Sequence, residues 1–263
     1  MHPDRVGTMR PMSESTAADP ARRSILRRSW SSFIAAPAYP PSAGDLRTIS
    51  VVGIEMPFRA AVAISVVTML VLFDYSRTFI PDSIRALGLA AEGLRFQALE
   101  RVVLYGLVPL AVILLVFRDR PGRYGLRVGD WRWGLSLAAL GMVVMTPVVM
   151  VLAALPSFQA YYSLSGAGTP ELLVTHALDL VPSEFVFRGF LMFTLIRVVG
   201  GMGVLIATLP FVFAHLGKPE IETFSTLFGG MVYGWVNWRT GSIAYSAVAH
   251  VYIVTLLLVL TRS

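Results

Sequence analysis

Seven apolar segments follow one another between residues 58 and 260, and this succession constrains the fold more than any other feature of the chain. The sequence is 55% apolar and only 14% charged. A helix needs about 20 mainly apolar residues to cross the hydrocarbon of a bilayer. We therefore expect an all-α, polytopic bundle of about seven transmembrane helices. The segments are residues 58–73, 102–117, 133–155, 172–196, 198–216, 221–238 and 242–260.

The first 50 residues have a different composition, rich in Pro, Ser, Ala and Arg and without a long apolar run. A segment that cannot bury enough apolar surface stays disordered. We expect residues 1–50 to form a disordered basic tail and residues 51–263 to form the transmembrane domain. Residues 22–33 mix cations with apolar side chains, which is consistent with an amphipathic helix on the membrane surface and equally with a solvated tail.

The distribution of arginines predicts the topology. Seven lie in the tail and five in residues 118–132, whereas residues 156–170 contain neither Lys nor Arg. Positively charged loops remain on the cytoplasmic side of a membrane. The N-terminus should therefore be cytoplasmic, although the loop of residues 77–95 argues weakly for the opposite orientation. The formal charge of +6 is explained by topology, so we expect a lipid bilayer and no nucleic acid as a partner.

Two charged residues, Glu184 and Arg188, lie inside the fourth apolar segment. Charges inside a membrane are costly, and they usually mark function and face the protein interior. The two are four residues apart, so they share one helix face and can pair. One interpretation is an ion pair that fixes helix packing, and the other is a general base, Glu184, held by Arg188. Asp179 is offset from Glu184 by about 140° around the helix and need not share its face.

Two histidines, His215 and His250, lie in the fifth and seventh segments. A lone histidine in an apolar helix is more often a hydrogen-bonded core residue than a ligand. Together with Glu184, however, they make three water-polarising residues in three helices, which fits general base catalysis or metal coordination. Cysteine is absent, which excludes thiolate ligands. Neither histidine belongs to a His-x-x-x-His pair, so no single helix supplies a zinc site.

The order of these motifs resembles the CPBP family of intramembrane endopeptidases, which includes the CAAX prenyl endopeptidases and bacterial Abi-type proteins. The resemblance covers about residues 124–260. It is carried by Arg123-Tyr124-Gly125-Leu126, Glu184-x-x-x-Arg188-Gly189, Phe211-x-x-x-His215, the glycine-rich stretch 229–235, Arg239-Thr240-Gly241-Ser242-Ile243 and His250.

The resemblance implies an intramembrane endopeptidase in a bacterial plasma membrane. Its substrates would be membrane-anchored peptides or proteins, CAAX prenyl proteins among them. Glu184 would be the base and Arg188 its anchor. His215 and His250 would polarise the water, stabilise the oxyanion or coordinate a divalent metal such as zinc. The resemblance allows a metal-dependent mechanism and also a metal-free one based on glutamate and histidine.

The sequence departs from the family pattern at two positions. Ser183 stands where the family usually has its first glutamate, to which water activation is assigned. Val254 stands where an Asn or Asp usually follows the last histidine. These departures favour an alternative function, a catalytically inactive membrane scaffold or immunity-type protein. A transporter that uses the buried charges as a proton relay is a further alternative, disfavoured because the sequence has no internal repeat.

Overall fold

The computed structural model describes residues 35, 37–76, 83, 91–163 and 168–261. Contacts divide the chain into Met1–Ala35 and Ala36–Ser263, and the fold is that of the second unit. Helices dominate this unit, so the predicted all-α class is confirmed; a single antiparallel hairpin is found among the described residues. The predicted surface segment at residues 22–33 lies outside the described residues.

The described residues form one hairpin and a series of helices. The hairpin is formed by β1 (Thr48–Val51) and β2 (Ile54–Pro57). The α-helices are α1 (Ala43–Leu46), α2 (Phe58–Ser76), α3 (Ala91–Arg101), α4 (Val108–Ala111), α5 (Trp131–Ala153), α6 (Pro156–Tyr162), α7 (Thr169–Glu184), α8 (Met192–Val199), α9 (Met202–Phe213), α10 (Glu220–Thr240) and α11 (Ala244–Leu260). The π-helical segments are Val102–Leu107, Val112–Val116 and Phe185–Leu191, and Pro121–Tyr124 is 3₁₀.

The protein is an integral membrane protein, but the predicted number of about seven membrane-spanning segments is not supported. In the described part of the chain, three helices are long and apolar enough to cross a bilayer: Phe58–Ser76, Glu92–Val116 and Trp131–Ala153. The helices α9 and α11 are apolar but shorter. The fourth segment is a continuous run of α7, a π-helical stretch and α8, and it carries several charges. The sixth, α10, is long but rich in Gly, Thr and aromatic residues rather than aliphatic ones.

Residues 37–50, inside the predicted tail, belong to the described fold, because Asp45 ties α1 to the rest of the unit. Its carboxylate accepts hydrogen bonds from Ser42, from Arg59 at 2.8 Å and from Arg123 at 2.8 Å. Burial alone would raise the pKa of Asp45, but these hydrogen bonds outweigh it and hold the pKa well below its usual range. Arg59 also donates to Asp119 at 2.8 Å, so α1, α2 and the loop before α5 meet at one buried ionic cluster.

The centre of the fold is the continuous run of α7, the π-helical stretch and α8. Every residue from Ser183 to Arg197 is buried. α11 packs against α5 and α7, and α9 packs between α8 and α10. The most charged of the predicted membrane segments is therefore also the most enclosed by protein, which is where ionised side chains inside a membrane are tolerated.

Two separate parts of the family-like region meet at the same end of the bundle. The amide of Ile243 donates to the carbonyl of Gly125 at 3.1 Å, and the amide of Asp130 donates to the carbonyl of Thr240 at 2.8 Å. Gly125 has φ +81°, a left-handed conformation that favours glycine. These contacts anchor the start of α11, and with it His250, against the segment that precedes α5.

Glycines of α10 allow it to approach α9 closely, as the Gly230-x-x-x-Gly234 spacing predicts. A Cβ on Gly230 would lie 2.7 Å from the Thr208 methyl, and one on Gly234 would lie 2.6 Å from Cγ1 of Val204. A Cβ on Gly229, in the same helix, would meet no atom within 4 Å. Helix contact, rather than flexibility, therefore explains two of these three glycines.

Gly234→Ala should destabilise the protein by about 1–3 kcal/mol, because the branched Val204 side chain has little freedom to move away. Gly229→Ala is the matched control and should be neutral or slightly stabilising, since alanine is the better helix former. Thermal unfolding of the two variants in the same detergent measures the difference. Equal melting temperatures would contradict the close α9–α10 contact.

Candidate active site

Glu184 is fully enclosed by hydrogen-bond donors. It is the last residue of α7, and its side chain is 0% exposed. Its Oε1 accepts from Nδ1 of His250 at 2.9 Å and from Nη1 of Arg188 at 3.3 Å. Its Oε2 accepts from the hydroxyl of Ser246 at 2.9 Å. Both oxygens thus accept hydrogen bonds, and Glu184 can influence its surroundings only through the side chains that donate to it.

Arg188 lies beneath this carboxylate in the π-helical stretch Phe185–Leu191, a kind of local helix distortion that often occurs at functional sites. Its guanidinium carbon lies 3.5 Å from the centroid of the Phe211 ring. Its Nη2 has no hydrogen-bond partner among the described residues. The predicted pairing of Glu184 with Arg188 is present in the structure, and the face of Phe211 supports the remaining positive charge.

In the part of the chain that the structure describes, Nδ1 of both histidines is hydrogen-bonded to the protein and Nε2 is the free ring nitrogen. Nδ1 of His215 lies 2.8 Å from the carbonyl of Phe211, which can only accept, so Nδ1 carries the proton. Nδ1 of His250 faces the Glu184 carboxylate and likewise donates. In a neutral imidazole with its proton on Nδ1, Nε2 is an acceptor. The Phe211 ring contacts both imidazoles, with centroids 4.5 Å and 5.9 Å away.

A cavity of about 100 Å³ adjoins these rings. Its walls include His215 and His250, and this volume accommodates several water molecules. Ser183 and Val254, the two positions that depart from the family pattern, also line it. Glu184 does not contribute to the lining and lies behind His250. The structure therefore brings the four predicted site residues together, but only the two histidines face the cavity.

Sequence reasoning missed two side chains that support the site. Ser246 precedes His250 by four residues, so its place on the same face of α11 was readable from the sequence. Lys218 also lines the cavity and contacts Glu222 at 2.7 Å and the ring of Tyr162. Burial would lower the pKa of Lys218, but these two neighbours raise it above its usual value, so the lysine stays charged. Only the fold brings it to the cavity.

The side chains around the cavity do not match the donor set that the predicted metal requires. Among the described residues, no group of three His, Cys, Asp or Glu side chains is placed to hold a metal ion. Nε2 of His215 and Nε2 of His250 are two ligands, whereas both oxygens of Glu184 accept hydrogen bonds from protein groups. A catalytic zinc site has three protein ligands. The residues therefore do not form such a site in this arrangement.

The stretch that carries these residues matches a known family. Residues 166–256 match the family model described as Rce1-like, type II CAAX prenyl endopeptidase Rce1-like. The resemblance to the CPBP and CAAX proteases is thereby confirmed. The match covers about a third of the chain and includes Glu184, Arg188, His215 and His250. Searches of curated proteins and of solved structures find no match.

Arg188→Ala should lower the yield of folded protein and its thermal stability, because it leaves the buried Glu184 without its cation. Removing one partner of a buried pair costs about 3–5 kcal/mol. Arg132→Ala, which removes an exposed arginine of α5, is the matched control and should be near neutral. Size-exclusion profiles and melting temperatures of the two variants provide the measurement. A normal melting temperature for Arg188→Ala would show that the pair does not stabilise the fold.

Proposed function

We propose that the protein is an intramembrane endopeptidase that hydrolyses peptide bonds of membrane-anchored substrates of the CAAX type. The observation that carries the proposal is the enclosed Glu184 carboxylate, which fixes the ring of His250 at the wall of a cavity large enough for several water molecules. His215 lines the same cavity, and all three residues lie in the stretch that matches the Rce1-like family. The apolar helices around this stretch support a substrate that reaches the site from the bilayer.

In the proposed site, Glu184 acts through His250 rather than directly on water. The carboxylate fixes the tautomer of His250 by accepting a hydrogen bond from its Nδ1–H, which makes Nε2 a stronger acceptor. A water beside the rings can donate one hydrogen bond to Nε2 of His250 or of His215. This bond increases the negative charge on the water oxygen and orients it for attack on a carbonyl carbon. Arg188 compensates the charge of Glu184 in the protein interior.

The metal-free version of this mechanism fits the hydrogen bonds of Glu184 best. The prediction that His215 and His250 coordinate a divalent metal such as zinc remains open to a direct test, because two imidazole ligands are available. Activity assays with and without a chelator, followed by zinc addition, separate the two versions. We expect cleavage to persist in the chelator, and its loss with recovery on zinc addition would favour the metal version.

The proposed location is a bacterial plasma membrane with the N-terminus in the cytoplasm. The support is the sequence: arginines concentrate in the N-terminal tail and in residues 118–132, and these loops should remain at the anionic inner leaflet. The structure adds that Arg59, Arg123 and Asp45 meet in one cluster at this end of the bundle. The lining of the site cavity includes Lys218 and Tyr162 and none of the three residues of this cluster.

A second candidate function is an inactive scaffold that keeps the fold without the chemistry. The observation that favours it is the position of Ser183 and Val254 in the cavity wall. In the family that this chain resembles, these positions usually carry a glutamate and an Asn or Asp. A scaffold of the immunity type would bind a membrane partner without cleaving it.

Glu184→Gln should reduce cleavage at least about a hundredfold, because the amide carries no charge to polarise His250. The assay uses purified protein in lipid vesicles with a panel of membrane-anchored peptides, prenylated CAAX peptides included. Glu220→Gln, which changes an exposed glutamate of α10, is the matched control and should cleave like wild type. Equal rates for wild type and Glu184→Gln would remove Glu184 from the mechanism.

The same assay distinguishes the enzyme from the scaffold. Ser183→Glu restores the family's paired carboxylates, and for an active wild type we expect it to be neutral or to raise the rate. An inert wild type combined with cleavage by the double variant Ser183→Glu and Val254→Asn would identify a degenerate protease. That outcome would contradict the proposed function of the natural chain.

A further inference from the structure

One face of α7 lines the cavity, and it is not the face that carries Glu184. His176, Asp179 and Ser183 recur at intervals of three and four residues, so they share a side of the helix, and all three belong to the cavity wall. The hydroxyl of Ser183 donates to the carbonyl of Asp179 at 2.8 Å, one turn back. The cavity wall thus contains a carboxylate one helical turn away from position 183.

Asp179 is held in place on one side and open on the other. Its Oδ1 accepts from Nη1 of Arg101 at 2.7 Å. Its Oδ2 accepts no hydrogen bond from the residues that the structure describes, and the side chain remains 14% exposed. Arg101 is in turn fixed by Asp74 at 3.2 Å, and Tyr105 donates to Asp74 at 2.8 Å. A rigid buried network therefore positions one oxygen of Asp179 and leaves the other available to a water molecule.

The other carboxylates near the cavity are occupied. Glu184 lies behind His250 with donors on both oxygens. Glu222 accepts from Lys218 and, on both oxygens, from the hydroxyl of Tyr162, and it does not line the cavity. Among the described residues, Asp179 is the carboxylate in the cavity wall, which also contains His215 and His250.

We propose that Asp179 is the proton acceptor for the attacking water and replaces, one turn earlier in the helix, the glutamate that position 183 lacks. The inference rests on the proposed peptidase function. The water oxygen bonds to the carbonyl carbon while one water proton passes to Oδ2 of Asp179 and the carbonyl electron pair moves onto its oxygen. The C–N bond then breaks, the proton passes from Asp179 to the departing amine, and the carboxylate is regenerated.

The test compares two carboxylates that share Arg101. Asp179→Asn removes the carboxylate that lines the cavity. Asp74→Asn, the matched control, removes the carboxylate that pairs with Arg101 but does not line the cavity. With peptides that wild type cleaves, we expect kcat to fall at least about a hundredfold for Asp179→Asn. Asp74→Asn loosens Arg101 but keeps the Asp179 carboxylate, so it should lower kcat by about tenfold at most. Similar melting temperatures would show that the two variants lose the Arg101 pairing to the same extent.

A rescue experiment adds a result that a structural role would not produce. Ser183→Glu in the Asp179→Asn background returns a carboxylate to the cavity without restoring the Arg101 pair. The kcat of this double variant should be at least about tenfold higher than that of Asp179→Asn alone. If Asp179→Asn fails to fold, the single variant Arg101→Gln is compared with the double variant Arg101→Gln/Asp179→Asn. Neither leaves an unpaired arginine. We expect kcat of the double variant to be at least about a hundredfold below that of Arg101→Gln.

Equal kcat for Asp179→Asn and Asp74→Asn, with an active wild type, would overturn the assignment of Asp179 and leave the proposed function intact. Equal kcat for the two Arg101→Gln variants would do the same. Lack of cleavage by the wild type itself would instead contradict the proposed function, and with it the reaction that Asp179 is inferred to serve.

Discussion

The hydrogen bond between Nδ1 of His250 and the carboxylate of Glu184 is the interaction on which the rest of the site depends. It joins α7 to α11, fixes the tautomer of one histidine and places a negative charge where no water reaches it. An ionised carboxylate in such a place is tolerated only when its oxygens are satisfied. Arg188 and Ser246 supply the remaining hydrogen bonds to these oxygens. The same bonds therefore hold three elements together and orient His250 in the cavity wall.

The fold serves this arrangement by surrounding the charged helix with apolar ones. The run from Ser183 to Arg197 is buried throughout, and the glycines of α10 let that helix approach close enough to cover Arg188. This packing places two carboxylates of α7, which are five residues apart, in different surroundings. Glu184 faces protein and orients an imidazole, whereas Asp179 faces the cavity. In hydrolytic enzymes, two acidic groups in different surroundings can take different roles, and we propose the same for Glu184 and Asp179.

Part of this could be predicted from the sequence and part could not. The all-α class follows from the apolar segments, and the pairing of Glu184 with Arg188 follows from a spacing of four residues on one helix. The contact between Glu184 and His250 joins residues 66 positions apart, so no local pattern specifies it. Seven spans are not supported, since three helices of the described residues have the length and apolar content of a span. Apolar content alone does not distinguish a membrane span from a helix enclosed by protein. The availability of Asp179 depends on Arg101, which only the fold brings beside it.

The most direct test of this account is the protonation state of the His250 ring, measured by nitrogen NMR on protein with ¹⁵N-labelled histidine in lipid vesicles, with a His250→Gln variant to assign the signals. The account predicts a neutral ring that is protonated on Nδ1, with Nε2 unprotonated, and a clear change in the Nδ1 shift in Glu184→Gln. A ring protonated on Nε2, or signals that do not respond to Glu184→Gln, would contradict the claim that Glu184 acts through His250.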